Sequence, residues 1–106
     1  MYKRQDKAWE YLCCLVEEWR ESDWEYAALS ALALESYPGK RTIDVLKKGC
    51  ESRNWYIRYN SAQSLGKLID HEQKGKFIQN EKDIYAKEMM AYKFMGTEES
   101  TDDGCD

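Results

Sequence analysis

Asn54-Trp-Tyr-Ile-Arg-Tyr-Asn-Ser-Ala-Gln-Ser-Leu-Gly-Lys-Leu-Ile69 is the stretch whose reading decides the fold. Ile57, Leu65, Leu68 and Ile69 return at the spacings that collect side chains on one face of a helix. Ser61, Ala62 and Gly66 fall among them and leave room for a neighbouring helix to come close. Gly66 costs on the order of 1 kcal/mol of helix propensity, which suits a helix packed on more than one side. Asn54 stands where an N-cap belongs. A central helix is therefore expected over residues 54–69.

Toward the N-terminus, residues 1–4 are expected to fray. Trp9, Leu12, Val16 and Trp19 then recur at i, i+3, i+7 and i+10, broadened by Cys13 and Leu15 and opposed by Glu10, Glu17 and Glu18. That pattern predicts an amphipathic helix from about Gln5 to Arg20. Ser22-Asp-Trp-Glu25 has the spacing of a capping box and opens a second helix to Ser36, apolar over most of its circumference and so expected between neighbours. Pro38-Gly39 ends it. A third helix is read over Lys40 to Cys50, with Ile43, Leu46 and Cys50 inward. Beyond the central helix, the polar stretch His71 to Gln79 carries Gly75 and predicts a short or broken helix. Residues 80–83 resemble another capped start, leading to a last helix that Gly96 closes.

Composition bounds the rest. With 106 residues the chain holds one domain, read as 1–96, with an acidic tail over 97–106 expected to be unstructured. One Pro and six Gly leave few breaks, which favours long helices. Residues 1–39 carry four bases against eight acids, whereas 40–76 carry nine against four. That polarity suggests self-association or a charged partner, or simply two solvated faces. Cys13, Cys14, Cys50 and Cys105 show no metal-ligand or disulfide spacing. With no apolar leader and no membrane-length apolar run, a cytoplasmic protein with reduced thiols is expected.

The helices also repeat. Asp23-Trp-Glu-Tyr-Ala27 overlays Asn54-Trp-Tyr-Ile-Arg58, carrying Ala31 onto Ala62 and Leu34 onto Leu65. Asp83-Ile-Tyr-Ala-Lys87 overlays both, placing Ala91 on Ala62 and Phe94 on Leu65. Two helices per period of about 30 residues is the pattern of an α-solenoid. On these residues, and most specifically on Asn54…Ile57-Arg58…Ser61-Ala62…Leu65-Gly66, the chain resembles HEAT-like (armadillo-type) repeats. The resemblance implies an all-α, short right-handed α-α solenoid of about five to six helices. It also implies an inter-repeat pair between Asp23 and Arg58. Asn54 stands where the family usually has Asp, and Ala27 where it has Arg, so one such rung is expected.

No catalytic set emerges. His71 is the only histidine, and no Gly-rich phosphate loop or GxSxG is present, so neither enzyme activity nor a cofactor or metal is expected. Binding is left. In HEAT-like arrays the second helices line one face, and the repeat offset places Ala28, Leu32, Tyr59, Gln63, Glu88 and Tyr92 there. Exposed, they form a partner-binding stripe; alternatively Tyr59 and Tyr92 cover the core with their rings. The expected function is non-enzymatic protein–protein interaction as a scaffold or adaptor, including a homodimer contact. The alternative is nucleic-acid binding through the basic 40–76 region, against which the acidic tail weighs.

Overall fold

The computed structural model describes the backbone of residues 2–104 and the side chains of residues 7–95. Six helices follow one another: α1 (Tyr2–Glu17), α2 (Trp24–Ala33), α3 (Lys40–Cys50), α4 (Trp55–Leu68), α5 (His71–Asn80) and α6 (Ile84–Gly104), with 3-10 turns before and after α2. Among the described residues there is no strand, so the chain is all-helical. It forms one compact body of 39 × 31 × 28 Å.

Local chemistry explains most boundaries. Asn54 Oδ1 accepts from the amides of Tyr56 and Ile57 at 2.9 and 3.0 Å, starting α4 where the sequence predicts. Asp83 repeats the device on α6, accepting from Tyr85 and Ala86, both at 2.9 Å. Asp70 and Gln73 cap α5 reciprocally, and α5 runs unbroken through Gly75. Asn54→Ala should lower stability by about 1 kcal/mol, the usual worth of an N-cap. An unchanged urea midpoint would show that the cap carries no net stability.

Three helices differ from expectation at their ends. α1 begins at Tyr2 and stops at Glu17. The Ser22–Glu25 capping box is not made. Instead the Asp23 carboxylate turns back to accept from the Arg20 amide at 2.7 Å, and α2 starts at Trp24. α6 does not stop at Gly96; its backbone stays helical to Gly104. The side chains read as an acidic tail lie outside the described residues.

α4 is the centre of the body, packing against α2, α3 and α6. α1 packs on α2 and α3, and α5 on α6. Ser61 and Ala62 are fully buried, as their size predicts. The main core joins Cys13 and Val16 of α1, Val45 and Leu46 of α3, Leu65 of α4 and Phe94 of α6. A second cluster sets Ala27 and Ala28 of α2 against Ile57 of α4, roofed by Trp19 and Trp24. Polar links fix the register of these contacts. Ser64 Oγ donates to the Ala31 carbonyl at 2.6 Å and Asn60 Nδ2 to the Ala28 carbonyl at 2.8 Å, tying α4 to α2. Trp9 Nε1 donates to Thr42 Oγ1 at 2.8 Å, tying α1 to α3.

The charge polarity of the sequence is matched inside the chain. Glu10 and Glu17 meet Arg41 at 3.3 and 3.5 Å, Glu17 meets Lys48 at 3.9 Å, Glu21 meets Arg53 at 3.3 Å and Glu35 meets Lys67 at 3.7 Å. Each pair is at least partly exposed and contributes at most about 1 kcal/mol. Together they set the acidic first helices against the basic middle ones.

A tighter cluster joins α3 to the start of α6. The Glu81 side chain is only 2% exposed, and Lys47 Nζ stands 3.4 Å from Glu81 Oε1 and 3.5 Å from Glu51 Oε2. Burial, then hydrogen bonding and repulsion from Glu81, raise the Glu51 pKa above its ordinary value of 4.5. The folded state therefore binds the Glu51 proton more tightly than the unfolded chain does. The stabilisation from this group is full below the ordinary glutamate pKa and is lost as pH rises through the raised folded value. Glu51→Gln should accordingly unfold at higher urea than the parent at pH 7, with the difference vanishing in acid. A lower midpoint at pH 7 would mean that Lys47 needs both carboxylates.

Candidate interaction groove

The N-terminal halves of α4 and α6 lie side by side with an open groove between them. Its cavity of about 660 Å³ is lined by Trp55, Tyr56, Arg58, Tyr59, Asn60, Tyr85, Glu88, Met89 and Tyr92. Trp55 and Tyr56 open α4, and the cap at Asn54 fixes their direction. Tyr85, Glu88 and Tyr92 stand at i, i+3 and i+7 of α6 and so share one face.

The rings hold one another. Trp55 stacks on Tyr59 with centroids 4.9 Å apart and meets Tyr56 edge-on at 5.2 Å, while Tyr56 stacks on Trp24 of α2 at 5.1 Å. Tyr59 reaches across to Tyr92 at 6.4 Å. Two cations complete the lattice: Lys93 Nζ lies 3.9 Å from the Tyr59 ring centre, and the Arg58 guanidinium lies 5.7 Å from that of Tyr85. Offset and tilted ring pairs of this kind add to the stability of burial alone and make the wall stiff. Even so, Trp55, Tyr56, Tyr85 and Tyr92 remain 49–63% exposed. Aromatic side chains are enriched at protein interfaces relative to the rest of a surface, which makes this groove the candidate site.

Arg58 divides the groove from a second cavity of about 350 Å³, lined by Glu51, Ser52, Arg53, Asp83 and the shared Arg58 and Tyr85. One arm of its guanidinium donates to the Ser52 carbonyl at 2.9 Å. Its Nε is buried and has no acceptor. An unsatisfied buried donor is costly, and this one is closed off from solvent within the wall.

The groove unites three of the residues expected to bind a partner: Tyr59, Glu88 and Tyr92. It does not include the other three. Ala28 is buried at 5% exposure beneath α4, and neither Leu32, exposed on α2, nor half-buried Gln63 lines the cavity. Tyr59 takes the second of its two expected roles: it is half-buried against the core, so removing its ring would loosen packing. The expected Asp23–Arg58 rung is absent. Asp23 is engaged by Arg20, and Arg58 is drawn away to Ser52 and Tyr85. Trp55, Tyr56, Arg58 and Tyr85 were not singled out from the sequence as groove residues. Their signal was the clustering of aromatics at two corresponding helix starts, 55–59 and 84–85.

Elsewhere, burial pushes the Cys13 and Cys50 thiols up, so neither is a ready thiolate, while Cys14 is exposed. Among the described residues no helix is long and apolar enough to cross a membrane. No protein-family model, curated protein or solved structure matches this chain.

Proposed function

We propose that this chain is a non-enzymatic protein-interaction module, a short right-handed HEAT-like stack whose second helices present the α4/α6 groove to a protein partner. Three helix pairs, α1/α2, α3/α4 and α5/α6, supply the repeats. The order of packing supports this reading: α2 lies on α4 and α4 on α6, while α1 lies on α3. The recurring cap-plus-ring start at Asn54-Trp55 and Asp83-Ile-Tyr85 supports it as well. The free cysteines agree with the expected cytoplasmic setting.

The observation that carries the function is the groove itself, with four half-exposed rings around a buried arginine donor that lacks an acceptor. Protein interfaces are rich in Tyr, Trp and Arg in this way. The nucleic-acid alternative is less well supported. Seven of the nine bases of residues 40–76 (Lys40, Arg41, Lys47, Lys48, Arg53, Lys67 and Lys76, but not Arg58 or Lys74) already face a carboxylate within 4.0 Å. Internally paired bases release few counterions on meeting a polyanion.

The test is selection of a random-peptide library on the purified chain, counter-selected on the Tyr85→Ala/Tyr92→Ala double variant. Both rings are mostly exposed, so the variant should keep the parent's thermal melt. Enrichment of peptides that bind the parent and not the variant is the expected result. Selection that converges on nothing, or on peptides indifferent to the two tyrosines, would remove the groove as a binding site.

A further inference from the structure

We infer that the α4/α6 groove takes an extended, proline-rich segment of the partner that carries one basic residue. The inference rests on the interaction reading above and adds the chemistry of the ligand, which four features of the groove define.

The first is the sign of its hydrogen-bonding groups. The groove offers the Trp55 indole N–H and the tyrosine hydroxyls as donors. A prolyl residue has a carbonyl and no N–H. A run of prolines therefore brings acceptors to these groups without adding amide donors that the groove would leave unsatisfied. In the polyproline II helix those carbonyls are not used internally and face outward.

The second is the state of the rings. Tyr59 has Trp55 on one flank and Lys93 close over its ring, and Tyr85 has Arg58 over it. A ligand cation seeking an aromatic face would meet rings already served by cations. A neutral, compact pyrrolidine ring instead fits the clefts between rings held apart at fixed spacing, the way aromatic-lined grooves take proline-rich segments.

The third is charge. Glu88 stands in the wall with no ion pair among the described residues. It lies one turn from Tyr85 and one turn from Tyr92 on the same face of α6. A single lysine or arginine in the ligand would complete it.

The fourth is length. Tyr85 to Tyr92 spans about 10 Å at 1.5 Å per residue. Three or four polyproline II residues cover the same distance at about 3.1 Å each. The second cavity beyond Arg58 extends the track for the flanking residues.

Calorimetric titration of the full chain with three probes tests the inference: an oligoproline peptide with one central arginine, the same peptide with glutamine in its place, and an oligothymidylate. The arginine peptide should bind about fivefold more tightly than the glutamine one, the worth of one partly exposed ion pair. Glu88→Gln should remove that difference without weakening the glutamine peptide. Tyr85→Ala and Tyr92→Ala should each abolish binding of both peptides while leaving the melt unchanged. Failure of both peptides to bind, with groove-dependent peptides of other composition emerging from the library, overturns the proline inference and leaves the interaction reading standing. Tyrosine-dependent binding of the oligothymidylate, with neither peptide bound, overturns both.

Discussion

Phe94→Ala should reduce stability by about 3–5 kcal/mol, the usual loss when a fully buried aromatic ring leaves a cavity behind. Phe94 is 1% exposed, and its ring lies on Gly66 of α4. A Cβ at residue 66 would stand 3.1 Å from Phe94 Cδ1, so the ring packs closely on the bare glycine and would have to give by a few tenths of an ångström to admit an alanine. The contact anchors α6 to the central helix. α5 packs principally on α6 and would lose its footing with it. A domain of this size has a total stability of about 5–15 kcal/mol, so the substitution removes a large part of it. At roughly 4–8 °C per kcal/mol the melting temperature should fall by at least about 12 °C. Urea unfolding followed by far-UV circular dichroism measures the loss. The α4/α6 groove should fail along with it, because Tyr85, Glu88 and Tyr92 depend on the seating of α6. A loss below about 1 kcal/mol would mean that α6 is held by something other than its ring-on-glycine contact.

That contact shows how much of the fold could be read in advance. The overlay pairs Phe94 with Leu65, and both are buried; the small residues of α4 mark it as a helix that others approach. Asn54 fixed a boundary because one side chain beside its own helix suffices to make a cap. The Ser22–Glu25 box misled for the same reason in reverse: the neighbouring Asp23 carboxylate takes the Arg20 amide instead, and a choice between two adjacent side chains leaves no trace in spacing. α2 was the hardest case. Apolar all round, it gave no periodicity to show which side faces inward. The structure buries its alanines, Ala27, Ala28 and Ala31, and leaves Tyr26 and Leu29 more than 60% exposed. Large and small have exchanged their usual places there because α4 comes too close for anything but alanine. The groove was half visible. Tyr59, Glu88 and Tyr92 were placed together by the repeat offset. The unsatisfied Arg58 donor was hidden, since nothing in a sequence reports that one arm of a guanidinium has an acceptor and another has none.

Gly49→Val should cost about 3 kcal/mol, at the upper end of the usual penalty for overpacking. Gly49 lies near the end of α3 in ordinary helical geometry, so it is needed for space and not for backbone freedom. A Cβ added there would overlap Ser61 Oγ, lie 2.8 Å from Ser61 Cβ and touch Val16 Cγ1 at 3.4 Å. Carbon atoms in comfortable contact stand about 3.5–4.0 Å apart. Valine adds two more carbons to a position that cannot take the first. The gain of several tenths of a kcal/mol from replacing a helical glycine offsets only part of this. The decisive measurement is a double-mutant cycle with Ser61→Gly. That change alone should cost about 0.5 kcal/mol of helix propensity, although it also removes a buried hydroxyl that has no hydrogen-bond partner. In the Gly49→Val background it opens the space that valine needs, so the two losses should fail to add by about 1–2 kcal/mol. Strict additivity would show that α3 relieves the clash by shifting along α4, and the spacing of the two helices would then not be set at this point. Coupling of the expected size would fix the distance between α3 and α4 at a contact whose far side is the helix that carries Trp55, Arg58 and Tyr59. The groove would then inherit part of its geometry from a glycine on the neighbouring helix α3.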